Sequence, residues 1–272
     1  MNNRHCFFLA LAALLFALPC SVSAGDPVNL YAAGSLKDAL GEVASSYSEQ
    51  YHIEVSAKFG PSGLLKKAIE AGERPDIFAS ANMNHPEQLA AAGWGSPVVL
   101  FTRNELCGLA QPHIKLTADN FLSTIKDAKV KLGTSTPKAD PSGDYAWELF
   151  EKAETVEKGS FASLSNKALQ LTGGPESKKA PEGRNQYAWV MEEKQADVFL
   201  TYCTNAVAVQ KENSDLHVTP IPEALAVGAD YGLIVRGDAD PAAWQFALYI
   251  LSGAGQDILK KYGFEAVTLQ KN

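Results

Sequence analysis

The chain has no surplus of positive charge. Among its 272 residues, 24 Lys and Arg face 31 Asp and Glu, for a formal net charge of −7. A nucleic-acid surface, which clusters Lys and Arg, is therefore not expected. No apolar run reaches the roughly 18 residues that a bilayer span needs. Several catalytic signatures are also missing: there is no GxSxG elbow, no Walker A loop and no GxGxxG fingerprint. Ser123–Lys126 matches SxxK but lacks its SDN and KTG partners. His52, His85, His113 and His217 are dispersed and form no HExxH pair, and no nucleophile, base and orienting group assemble. What remains is 46% hydrophobic and 20% charged, the balance of a globular chain of one or two domains with a large core.

The first 24 residues read as an export signal. Arg4 gives a basic start, Cys6 to Leu18 an apolar run, and Val22-Ser23-Ala24 a small-residue cleavage site. Pro19 before Cys20 does not fit a lipid-attachment site. Removing this segment leaves 248 residues and two cysteines, Cys107 and Cys203. Two cysteines in an oxidising compartment are expected to pair, the alternative being two separately buried thiols. Zinc is disfavoured, because two distant cysteines without a nearby histidine lack the ligand count.

Hydrophobic spacing then gives an α/β pattern. Val28 to Ala32 is a short strand, after which Leu36, Leu40, Val43, Ala44, Tyr47 and Tyr51 recur on one helical face. Ser35 stands where a helix cap belongs, with Asp38 three residues on. Ile53 to Phe59 and Asp76 to Ser80 read as further strands, each followed by a helix. A second α/β stretch follows the strand at Pro97 to Thr102. It holds strands at Val130 to Thr134 and Val198 to Tyr202, helices at Tyr145 to Lys152 and Phe161 to Leu171, and a loop over Thr172 to Gly183. Tyr231 to Val235 is a strand, and a helix through Trp244, Ala247, Leu248 and Leu251 comes near the end.

One local arrangement recurs: a strand, a short Gly/Ser turn, then a helix. It occurs at Ala33-Gly34-Ser35, at Gly60-Pro61-Ser62-Gly63 and at Asp140-Pro141-Ser142-Gly143. Each turn sets a hydroxyl and free backbone N–H groups at a helix N-terminus beyond the carboxyl end of a strand, where an anion is favoured. For any one turn the simplest role of its serine is a cap. Three in one exported chain point to an anion site. Overall acidity does not oppose this, because neutral donors can hold an anion.

The motifs Ala32-Ala33-Gly34-Ser35-Leu36, Phe59-Gly60-Pro61-Ser62-Gly63, Ile69-Glu70-Ala71-Gly72, Pro75-Asp76-Ile77-Phe78-Ala79-Ser80-Ala81 and Lys261-Tyr262-Gly263-Phe264 resemble the molybdate-binding proteins of bacterial ABC importers. The resemblance implies an α/β fold of the type II periplasmic binding protein kind. Two lobes, each a mainly parallel sheet flanked by helices, would be joined by two crossing hinge strands: residues 25–101 and 229–272 in one, 102–228 in the other. It further implies a monomeric periplasmic protein, not an enzyme, with no cofactor and no cation ligands. Such a protein would capture molybdate or tungstate and deliver it to a membrane permease.

Carried over residue by residue, the resemblance makes Ser35 and Ser62 donors through hydroxyl and backbone. It makes Ser142 a backbone donor and Tyr202 a hydroxyl donor. At the fifth position two registers stay open. Counting back from Tyr202 without a gap puts Arg184 against the ligand, with Asn185 where the family has Arg. A one-residue insertion instead aligns Gly183-Arg184 with the family's apolar-Arg pair and faces the Gly183 backbone to the ligand. An Arg contact would suit a different anion, sulfate-like, phosphonate or carboxylate. A secreted α/β hydrolase using a turn serine is a distant alternative and needs a histidine beside that serine.

Overall fold

The computed structural model describes residues 26–267; the expected signal segment lies outside them. The chain begins with β1 (Val28–Ala33), the short turn Gly34–Leu36, α1 (Lys37–Tyr51), β2 (Val55–Gly60), α2 (Ser62–Glu70), β3 (Ile77–Ser80) and α3 (Asn84–Ala91). The long β4 (Val99–Ala110) follows, then α4 (Phe121–Lys126), β5 (Leu132–Ser135), α5 (Pro141–Val156), α6 (Ser160–Lys167) and β6 (Leu169–Thr172). Next come α7 (Gln186–Glu192), β7 (Val198–Tyr202), α8 (Cys203–Glu212) and β8 (His217–Pro220). The chain returns through β9 (Gly228–Val235), α9 (Pro241–Leu251), α10 (Gly253–Lys261) and β10 (Glu265–Ala266).

Neighbouring strands run in the order β2-β1-β3-β9-β4-β7-β5-β6, with β8 and β10 also on β4. β4 changes partners along its length. Up to Glu105 it pairs antiparallel with β9; from Leu106 onward it lies between β7 and β8. One continuous strand thus belongs to both halves, and β9 runs against it where it crosses. This is the two-lobe arrangement. Within the first half β1 is parallel to β2 and β3, and within the second β5 is parallel to β6 and β7. Parallel pairing sends the carboxyl ends of β1, β2 and β3 to one edge, and those of β5 and β7 to one edge of the other half.

Each half has its own core. The α1 face read from the sequence is buried, with Leu36, Leu40, Val43 and Tyr47 fully enclosed against Phe246 and Ile250 of α9. Each such side chain contributes about 1.5–3 kcal/mol by leaving water. The second half packs Phe121, Phe150, Leu149 and Leu164 in one cluster, and Phe199, Val190 and Met191 in another. Cys107 and Cys203 form the expected disulfide, tying β4 to the first residue of α8.

Three expectations change. The helix expected over Phe161 to Leu171 ends at Lys167, because Ala168 turns extended and Leu169–Thr172 joins β5 as a strand. The apolar residues there fill a sheet edge as well as they would a helical face. α8 and β8 were not expected. Ser35 is not a cap: it lies inside the Gly34–Leu36 turn, and α1 starts after Leu36 with no side-chain cap.

Candidate functional site

The three turn serines stand at the ends of β1, β2 and the turn after β5, and none caps its helix through its side chain. α2 follows Pro61 without a side-chain cap, and α5 is capped by Asp140. Each hydroxyl does something else. Ser35 Oγ lies 2.9 Å from the Tyr231 hydroxyl. Tyr231 also accepts from Asn104 Nδ2 at 3.2 Å, and Asn104 donates to Thr204 Oγ1 at 2.8 Å. Either hydroxyl can donate in that pair; in the arrangement where Tyr231 donates to Ser35, the Ser35 proton is left for a ligand. Ser62, fully buried, accepts from the Ala81 N–H at 3.1 Å, which again leaves its own proton free. Ser142 is fully buried and its hydroxyl has no hydrogen-bond partner among the described residues.

Tyr202 sits at the carboxyl end of β7, facing the same place from the other half. Its hydroxyl donates to the Ala81 carbonyl at a long 3.3 Å, a bond that a better acceptor can replace. Its ring is 5.6 Å from that of Tyr231 and 6.3 Å from that of Tyr145. The Gly63 N–H donates to the Ala139 carbonyl at 3.0 Å, bringing the start of α2 against the turn before α5. The contacts therefore run without a break from Ser35 through Tyr231, Tyr202, Ala81, Ser62 and Gly63 to the Asp140–Ser142 turn. Burial raises the Tyr202, Tyr231 and Tyr145 phenols well above their ordinary value, so at neutral pH each is a neutral O–H. Neutral hydroxyl donors line this cluster, with the Asp140 carboxylate at its α5 end.

Beside it runs a groove of about 730 Å³, lined from the first half by Lys66, Asn82 and His85 and from the second by Lys138, Tyr145 and Glu148. Burial pushes the His85 imidazole down to about 4, so it stays neutral in this groove.

Arg184 is placed elsewhere. Its side chain is 42% exposed, ion-paired with Glu192, and 3.7 Å from Glu212. Its own N–H donates to the Pro181 carbonyl at 3.1 Å. No hydrogen bond or ion pair among the described residues joins it to Ser35, Ser62, Ser142 or Tyr202. Four of the five sequence-predicted residues come together, and Arg184 stands apart from them. Asn104, Asp140 and Tyr231 were not anticipated. Tyr231 carried only a strand signal, and Asp140 only its place before Pro141 at a helix start. No histidine hydrogen-bonds to a turn serine among the described residues. Among them, too, no cluster of His, Cys, Asp and Glu can hold a metal ion.

Two α/β halves sharing crossing strands, with hydroxyl donors at facing strand ends, define a two-lobe solute-binding protein. Residues 28–265 match the bacterial extracellular solute-binding protein family, and the chain belongs to it. It is a binding protein, not an enzyme. It is 38% identical over 207 residues to an uncharacterised protein of Pasteurella multocida (strain Pm70), covering 76% of this chain and 86% of that one. It is 25% identical to the molybdate-binding protein ModA of Escherichia coli (strain K12), covering 97% of this chain and 99% of that one. Among solved structures, the sulfate-binding protein SubI of Mycobacterium tuberculosis H37Rv shares the fold with a TM-score of 0.71 at 14% identity, covering 89% of this chain and 87% of that one. The resemblance read from the motifs holds. Among the described residues no helix is long and apolar enough to cross a membrane.

Proposed function

We propose that this chain captures a tetrahedral oxyanion between its two halves, outside the inner membrane, and presents it to the permease of an ABC importer. One observation carries this: the Ser35, Ser62 and Ser142 hydroxyls cap none of their own helix ends, and all three stand at strand-to-helix turns linked by an unbroken run of contacts to Tyr202. A tetrahedral anion offers acceptors in the directions from which these donors come. By bonding to both halves it shifts the population toward the closed form. Closure is what a permease would read. The name of the ModA relative favours molybdate, and tungstate with it, while a sulfate binder shares the fold.

An anion held directly by Arg184 is the weaker reading, because that guanidinium is committed to Glu192 and Glu212. In this proposal the protein is a periplasmic monomer exported by its first 24 residues. Thermal melting of the mature protein with molybdate, tungstate, sulfate or phosphate tests the class. Ligand at about a thousand times its Kd stabilises by about 4 kcal/mol, a rise of several degrees. No shift with any of the four contradicts the proposal.

A further inference from the structure

We infer that the groove beside the serine cluster holds a neutral organic group rich in hydroxyls, so that the ligand is a tetrahedral oxyanion in ester form, of the sugar phosphate class, and not a bare inorganic anion. The inference rests on the reading above, that a tetrahedral oxyanion group is held between the halves.

The groove is space that remains while the halves touch. The Gly63 N–H donates to the Ala139 carbonyl at 3.0 Å and the Tyr202 hydroxyl to the Ala81 carbonyl at 3.3 Å, each bond running from one half to the other. Beside these bonds about 730 Å³ stays open. That is room for roughly two dozen waters, and it lies within the range of about 300–1,000 Å³ that small-molecule pockets occupy. A bare tetrahedral anion fills a small part of it. The groove starts where the serine cluster ends: its Asn82 follows Ala81 directly, and the ring of its Tyr145 is 6.3 Å from that of Tyr202, edge to face.

The lining offers donors and acceptors together. Asn82 is only 9% exposed, and its Oδ1 accepts from the Ser80 hydroxyl at 3.1 Å and from the His85 N–H at 3.0 Å. These two donors fix which end of the amide is oxygen. The NH2 end has no partner among the described residues and is not sealed from solvent. From the other half, Glu148 makes no hydrogen bond or ion pair among the described residues. Partial burial, with Asp144 and Glu151 nearby, raises its carboxyl above the ordinary value. A ligand hydroxyl both accepts and donates, so it satisfies a free NH2 and a free carboxylate alike, whereas a bare oxyanion only accepts.

Charge points the same way. Lys66 and Lys138 line the groove with Glu87, Asp144, Glu148 and Asp230, an acidic balance. Lys66 is already paired with Glu70 at 2.8 Å. This lining opposes a second anionic group and tolerates a neutral polyol.

The test is titration calorimetry of the mature protein at pH 7.5 with inorganic phosphate, sulfate and molybdate, and with glycerol 3-phosphate, ribose 5-phosphate and glucose 6-phosphate. It is repeated on Glu148→Gln, which keeps the side chain's size, and on Asn82→Ala, with far-ultraviolet dichroism as the check on folding. At least one ester is expected to bind about tenfold or more tightly than every inorganic anion. Each folded variant is expected to weaken that ester by about fivefold or more and to leave inorganic phosphate within about twofold. An inorganic anion bound more tightly than all three esters overturns the inference, as do variants that leave the ester unchanged or weaken it and inorganic phosphate equally. Tight binding of an inorganic anion in that case leaves the oxyanion site standing; no heat with any of the six brings down both.

Discussion

The N–H of Gly63 donates to the Ala139 carbonyl at 3.0 Å, and this one backbone bond joins the start of α2 to the turn that opens α5. Only glycine permits the approach. A Cβ at position 63 would lie 2.5 Å from the Lys138 carbonyl oxygen and 2.8 Å from that of Ala139. Both obstacles are backbone and cannot swing aside.

Gly63→Ala should therefore hold the two halves apart. Oxyanion affinity is expected to fall by about tenfold or more, since binding must then work against an open population. Small-angle scattering in saturating ligand should give a larger radius of gyration than the wild type. Unchanged affinity and radius would show that the contact plays no part in closure.

Arg184→Ala should leave oxyanion affinity within about twofold, because exposed ion pairs such as those with Glu192 and Glu212 contribute only about 0–1 kcal/mol. A loss of about a hundredfold by calorimetry would mean that Arg184 leaves the surface to meet the ligand.

Much of the fold was legible because its signals are local. The α1 stripe Leu36, Leu40, Val43, Ala44 and Tyr47 repeats at helical spacing and is buried, while Tyr51, its last member, is 38% exposed. The strand-turn-helix units at Ser35, Ser62 and Ser142 were visible for the same reason. Their hydrogen-bond partners were not. Tyr231 meets Ser35 across 196 positions, and Tyr202 meets Ala81 across 121, so no window of sequence contains either pair. Asp140 looked like an ordinary turn residue; its proximity to Gly173 and Tyr202 comes only from the parallel packing of β5, β6 and β7. Arg184 drew attention by counting along the chain from Tyr202. Counting cannot show that Glu192 lies one helical stretch away to receive the guanidinium.

Cys107 and Cys203 close a loop with a sequence separation of 96, and constraint of the unfolded chain stabilises such a loop by about 4–5 kcal/mol in the entropy model. Replacing both with serine should lower the unfolding free energy by about 2–5 kcal/mol in urea melts. The bond also fixes β4 beside the residue after Tyr202, so a change below about 1 kcal/mol would be out of line with this role.

The Asp140 carboxyl predicts a pH signature in the ligand-free protein. Its folded value is raised to about 6, so between roughly pH 4 and 6 the folded state holds the proton more tightly than the unfolded chain. Relative to Asp140→Asn, the wild type should lose stability as pH rises through that window, by at most about 3 kcal/mol, and then level off. His85, lowered to about 4, contributes the opposite slope: its stabilisation is lost as pH falls from about 6.5 toward 4. That slope is common to both proteins and cancels in their difference. Melting curves at several pH values in an anion-free buffer read the difference directly; a constant gap contradicts the raised carboxyl.

The most direct test of the site is calorimetric titration of the mature protein with its best-bound oxyanion, set beside Ser62→Ala and Tyr202→Phe. Each variant removes one hydroxyl donor, so each should weaken one-to-one binding by about 1–3 kcal/mol, or roughly 5- to 150-fold, while the far-ultraviolet dichroism stays that of the wild type. Binding that is unaltered in both folded variants would place the ligand somewhere other than between Ser62 and Tyr202.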